Sequence, residues 1–121
     1  MALLAAMNVP QVRVYRKPIV ALISTGDELV MPGETPNPDQ IIASNTFGLA
    51  AMLRDIETEV RVLPIARDNL QSLEQAFSLA EGADVVVTIG GASVGDHDLV
   101  AQAAEKHGVQ RQFYKVAMRP G

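Results

Sequence analysis

The residues of this sequence that could do chemistry fall into three groups. The first is a set of acids: Asp27 and Glu28 in the segment Thr25-Gly26-Asp27-Glu28, Asp68 beside Arg67, and Asp96 and Asp98 in IGGASVGDHD. Carboxylates gathered around one cleft repel each other unless a cation offsets them. Mg2+, held by oxygens and shared with a phosphate, would do so. Taken singly, each acid has a plainer use: Asp68 as a helix cap, Asp98 as a helix start, Asp27 in a turn. The second group is the glycine loop itself. Gly90 and Gly91 allow close backbone approach and positive φ, Ser93 offers a hydroxyl, and amides around Gly95 could face an anion. The spacing fits neither the dinucleotide fingerprint nor the P-loop, so the loop is either a phosphate cradle or a tight strand-to-helix turn. The third group is cationic. Lys115 suits a phosphate and Arg119 an oxyanion, unless both are solvated charges at a strand end. His97 could touch a ligand, His107 reads as a solvated helix end, and Ser24, Thr25 and Ser93 lack a histidine base at fixed spacing, which leaves a hydrolase triad little support.

Alternating strands and helices must position these groups. Pro18 to Ser24 (PIVALIS) is an unbroken apolar run and reads as a buried strand. Met31 to Gln40 holds three prolines and reads as a loop. Ser44 is the expected N-cap of a helix reaching about Asp55. Glu59 to Ala66 alternates like a second strand, with Pro64 making it end early, bend or lie at an edge. Asp68 or Asn69 caps a helix that stops near Gly82. Asp84 to Ile89 (DVVVTI) is a third strand, a helix follows from about Asp98 to His107 before Gly108, and Gln112 to Met118 is a last strand. The N-terminal MALLAAMNVP is expected to be the end of a helix packed on the domain, since it lacks a basic flank and is too short to span a bilayer.

Strands joined by helical crossovers predict an α/β three-layer sandwich, with a mostly parallel sheet and helices on both faces. Ligands bind such sheets outside the carboxyl ends of the strands. The three groups all fall there: the acids of Thr25 to Glu28 after the first strand, Asp68 after the second, Gly90 to Asp98 after the third, and Lys115 and Arg119 along the last.

Composition narrows the function. The chain has 121 residues, one domain by size, and 48% are hydrophobic but only 4% aromatic, which predicts an aliphatic core. The net charge is −4 and the basic residues are scattered, which argues against a nucleic-acid partner. Cysteine is absent, which excludes disulfides and thiolate metal sites and is compatible with a reducing cytoplasm. With an N-terminal apolar run too short to span a bilayer, the expectation is a cytoplasmic protein with no membrane partner.

Five segments in order, ALISTGDELV, IIASNTFGLAAML, the Arg67-Asp68 pair, ADVVVTIGGASVGDHDLV and FYKVAMRPG, resemble successive motifs of the MoeA and gephyrin E-domain family. The match is to its central, MogA-like molybdopterin-binding domain and runs from about Val12 to Gly121. The resemblance implies a molybdopterin molybdotransferase, which takes adenylylated molybdopterin and molybdate with Mg2+, releases AMP and leaves molybdenum on the pterin. It assigns activity to Glu28, Asp68, Asp98 and Lys115, with Asp68 and Asp98 on the metal. Thr25, Gly26, Asp27, Ser44, Asn45, Gly90, Gly91, Ser93, Gly95 and Arg119 would bind the pterin or its phosphate. A MogA-type adenylyltransferase would act upstream, and the full-length enzyme would be a homodimer.

Residues 1–12 would be a helical lead-in and residues 13–121 the domain, a C-terminally truncated piece of the enzyme that turns over slowly or not at all alone. Three positions depart from the family pattern. Arg119 stands where a second lysine is frequent, Ala43 where an acid is common, and Asn69 where a second aspartate is frequent. Two other readings use the same fold: a non-catalytic pterin-binding or scaffold module, and a CinA-like nucleotide pyrophosphatase. The clustered acids weigh against the scaffold, and TGDE followed by Ser-Asn and KxAxxPG against the pyrophosphatase.

Overall fold

The order of elements follows from where apolar runs and breakers alternate. A computed structural model describes residues 1–90 and 99–110. In chain order these are α1 (Ala2–Ala6), β1 (Ile19–Thr25), β2 (Leu29–Val30), β3 (Ile41–Ile42), α2 (Ser44–Asp55), β4 (Glu59–Val62), α3 (Leu70–Leu79), β5 (Val85–Gly90) and α4 (Leu99–Lys106). The expected strand over Gln112 to Met118 lies outside the described residues.

β1 is the central strand of a parallel sheet ordered β4-β1-β5, with Val20 opposite both Val60 and Val85. Parallel neighbours require crossovers, and α2 and α3 supply them. Because successive side chains of a strand face opposite ways, β1 feeds two cores. Ala21 and Ile23 pack with Leu73, Ala76, Phe77 and Ala80 from α3 and its cap and with Ala103 of α4. Val20 and Leu22 pack on the other face with Ala50 of α2, flanked by Leu49 and Leu53. The predicted helices on both faces of a parallel sheet are thus present.

Local chemistry moved several boundaries. β4 stops at Val62 instead of reaching Ala66, because Pro64 has no N–H for the ladder. The edge resumes at Ala66, whose N–H donates to the Ser24 carbonyl at 2.8 Å and which bridges Thr25. β4 is also an edge strand among the described residues. Ser44 is the first helical residue of α2 and not its cap; Ala43 holds that place with no side-chain bond. The Ala43 N–H is still engaged with the Val30 carbonyl at 3.0 Å, which keeps Ala43 in the short β2–β3 pairing and delays the helix by one residue. At α3 the choice between Asp68 and Asn69 falls on Asn69, whose Oδ1 accepts from the Ser72 N–H at 2.9 Å. The Met31 to Gln40 stretch forms no helix or strand, as its prolines predict.

The N-terminal helix forms but does not pack. None of the α1 residues is buried, and Leu3, Val14 and Tyr15 stand exposed. Five residues make less than two turns, too short to present an apolar stripe. The lead-in is anchored further on, where Arg16 forms a two-pronged bond with the Asp84 carboxylate at 2.6 and 2.7 Å. Asp84 Oδ2 also accepts the Ile19 N–H at 2.7 Å. The bond from Arg16, then that from Ile19, holds the Asp84 carboxyl below the usual carboxylate range. His107 is exposed, as expected, and its ring stacks on Phe77 with centroids 6.0 Å apart.

Candidate functional site

A cleft of about 230 Å³ opens at the carboxyl ends of β1 and β5. Ser24 and Thr25 reach it from β1, Glu28 and Leu29 from the following turn and β2, and Ile89 and Gly90 from β5. The β3 residues Ile41 and Ile42 and the start of α2, Ala43 to Thr46, complete the lining. It combines a small aliphatic wall with hydroxyl, amide and carboxylate groups, a composition suited to a flat polar molecule.

Each group has a local reason for being there. Thr25 ends the central strand, is 1% exposed, and its Oγ1 has no hydrogen-bond partner among the described residues. An unmatched buried hydroxyl costs free energy, so Thr25 Oγ1 is the polar group at the end of β1 that the described residues leave unsatisfied. Gly90 sits against it at φ +117°; a Cβ there would lie 2.3 Å from the Thr25 carbonyl oxygen, so the approach of β5 to β1 requires glycine. Across the cleft, Ser24 Oγ and Thr46 Oγ1 share a buried hydrogen bond that pins the first turn of α2 to β1. Among the described residues no side chain caps that helix start, and the amides of its first turn, at Ser44 and Asn45, carry the partial positive charge of the helix dipole.

The turn after β1 is fixed separately. Gly26 adopts φ +148°, and a Cβ on it would come within 2.5 Å of Glu28 Oε2, so the Glu28 carboxylate folds back over the glycine. The Gly26 N–H donates to the Ala66 carbonyl at 3.1 Å, and the Asp68 N–H donates to Asp27 Oδ1 at 3.0 Å. Arg67 Nη1 reaches three carbonyls of this turn, those of Gly26, Asp27 and Leu29.

Of the residues singled out in the sequence, the structure gathers Thr25, Glu28, Ser44, Asn45 and Gly90 around the cleft. Gly26 and Asp27 lie in the adjoining turn. Asp68 is joined to Asp27 through its backbone but does not line the cleft. Gly91, Ser93, Gly95, Asp96, His97, Asp98, Lys115 and Arg119 lie outside the described residues. Among the described residues, no three His, Asp or Glu side chains converge to hold a metal ion, and no helix is long and apolar enough to cross a membrane. The sequence reading missed the apolar wall of Leu29, Ile41, Ile42 and Ile89. The adjacent isoleucines after a proline-rich loop were the available signal.

Known proteins resemble this chain in sequence and fold. The family model described as "Probable molybdopterin binding domain" matches residues 21–121. A molybdopterin molybdenumtransferase of Nostoc sp. is 44% identical over 121 residues, 99% of this chain and 28% of the relative. One from Haemophilus influenzae is 40% identical over 98% of this chain and 30% of the relative. The chain therefore spans about three tenths of the length of these curated relatives. A crystal structure of a molybdopterin biosynthesis MoeA protein from Pyrococcus horikoshii superposes with a TM-score of 0.72 at 40% identity, covering 87% of this chain and 26% of that one. With the family model matching from the central strand onward, the chain belongs to the probable molybdopterin-binding domain family.

Proposed function

We propose that this chain is the molybdopterin-binding domain of a molybdopterin molybdotransferase and that the cleft between β1, β5 and α2 holds the pterin. The observation that carries the reading is the buried Thr25 hydroxyl, unpartnered among the described residues, beside a cleft rimmed by Glu28, Ser44, Asn45 and Gly90. The relatives named molybdopterin molybdenumtransferase support the same reading.

In this account Thr25 and the start of α2 bind the pterin and its phosphate, and the isoleucine wall excludes water from one side. Gly91, Ser93, Gly95 and Arg119 would extend the binding surface. Glu28 and Asp68 orient molybdate or an attacking water, and Lys115 offsets charge on the oxyanion; placement of charge is what phosphoryl-bond cleavage chiefly needs. Asp68 with Asp98 would hold Mg2+, an all-oxygen donor set that suits a hard cation, which supplies charge neutralisation at the phosphate. A water or molybdate oxygen would attack as the adenylyl phosphate bond breaks, AMP would leave, and the two dithiolene sulfurs would replace molybdate oxygens, which depart with the thiol protons as water. The substrate would come from a MogA-type adenylyltransferase, and the working enzyme would be a cytoplasmic homodimer in molybdenum cofactor biosynthesis. Residues 13–121 form the domain and residues 1–12 its lead-in, and the isolated chain turns over slowly or not at all.

Titration of the chain with molybdopterin and its adenylylated form, with and without Mg2+, tests this. Saturable binding is expected, with a Mg2+ dependence that Asp98→Asn removes. Absence of binding by both the chain and a full-length transferase carrying it would refute the reading.

A further inference from the structure

We propose that Arg67 is a positioning residue, setting where Glu28 and Asp68 stand relative to each other; the proposal rests on the reading of those two acids given above. Arg67 Nη1 donates to the carbonyls of Asp27 at 3.0 Å, Leu29 at 3.1 Å and Gly26 at 3.4 Å. Three carbonyl dipoles aimed at one point repel, and a cation with rigid, planar donors is suited to hold them together. Among the described residues Arg67 forms no ion pair with a carboxylate, although Asp27 and Asp68 are its neighbours. Among the described residues its guanidinium bonds to backbone carbonyls alone.

Arg67 is itself held from behind. Its N–H donates to Ser72 Oγ at 2.9 Å, and the Ser72 N–H donates to the Asn69 cap at 2.9 Å, which ties Arg67 to the first turn of α3. On the other side the turn it grips carries Gly26, against which the Glu28 carboxylate is folded. The next residue, Asp68, is joined to Asp27. One guanidinium thus links the loop bearing Glu28 to the loop bearing Asp68, so a rotation of the turn would change the placement of one acid relative to the other.

The test compares Arg67→Gln and Arg67→Lys with the unaltered full-length protein by two readouts. Amide hydrogen exchange reports the turn directly. Arg67→Gln is expected to speed exchange at the Gly26, Leu29 and Asp68 amides by about tenfold while β5 and α2 amides keep their rates. AMP release from adenylylated molybdopterin in the presence of molybdate reports the acids. The same variant should lower kcat by about tenfold with KM within about threefold, the pattern of a lost transition-state contact, and Arg67→Lys should restore part of both. Unchanged exchange in both variants, or faster exchange with kcat unaltered, would overturn the proposal. If the unaltered protein releases no AMP, the functional reading fails and exchange alone decides whether Arg67 holds the turn.

Discussion

The backbone N–H of Asp68 donates to Oδ1 of Asp27 at 3.0 Å, joining two acids 41 positions apart in sequence. The bond uses one carboxylate to cap the amide next to the other, so the loops after β1 and β4 are coupled without any bound ligand. Asp27→Ala is expected to cost about 1 kcal/mol of stability, the usual net worth of such a bond, read as a lower urea midpoint at unchanged slope. Asp27→Asn keeps an acceptor oxygen and should lose less. Equal losses in both variants would mean that this bond does not tie the loops.

Gly90 makes a stronger demand. Its φ of +117° disfavours any side chain, and a Cβ would stand 2.3 Å from the Thr25 carbonyl oxygen, a backbone atom that cannot swing aside. Gly90→Ala should therefore destabilise the chain by about 1–3 kcal/mol and separate β5 from β1 at the cleft. Thermal unfolding measures the first effect and loss of pterin affinity the second. Gly33→Ala is the control: its φ is +97° but no atom lies within 4 Å of the added Cβ, so it carries the backbone penalty without the collision.

The Arg16–Asp84 clasp gives the chain an acid-sensitive anchor at the opposite end of the sheet. The Asp84 pKa is lowered by its bonds from Arg16 and Ile19. The contribution of the clasp is therefore present above the unfolded carboxylate value of 3.8 and is lost as pH falls through the lower folded value. The Arg16 pKa is raised, so it stays charged throughout this range. In urea unfolding from neutral pH downward, the stability gap between the wild type and Asp84→Asn should be constant to about pH 5 and shrink below it. A gap that stays constant to pH 2 would show that the carboxylate charge is not what anchors the segment.

How much of this was legible in the sequence depends on range. β1 and β5 were readable because both are unbroken apolar runs, Val20 to Ile23 and Val85 to Val87; β1 is buried on both faces, while β5 is only partly buried, with Val85 exposed. Thr25, Glu28 and Gly90 were readable as site candidates because parallel sheets place such residues together at strand ends. Ser44 and Asn45 entered only through the resemblance, since nothing local says that the first turn of α2 faces the end of β1. The β2–β3 pair was missed because two residues per strand leave no period to detect. Ser44 was overread as a cap because the β-type bond of Ala43 to Val30, which settles the helix start, spans a loop. The work of Arg67 on three carbonyls some forty residues earlier is long-range in the same way.

The measurement that tests the central claim most directly is a paired determination of stability and molybdopterin affinity for Thr25→Val. Valine matches the shape of threonine and removes the hydroxyl, whose Oγ1 is buried and unpartnered among the described residues. If that hydroxyl is kept for the pterin, the variant should be as stable as the wild type or more so, while its dissociation constant rises about tenfold, the worth of one hydrogen bond in a desolvated site. An unchanged dissociation constant at unchanged or raised stability would contradict the account, because the cleft would then hold its ligand without the group that marks it.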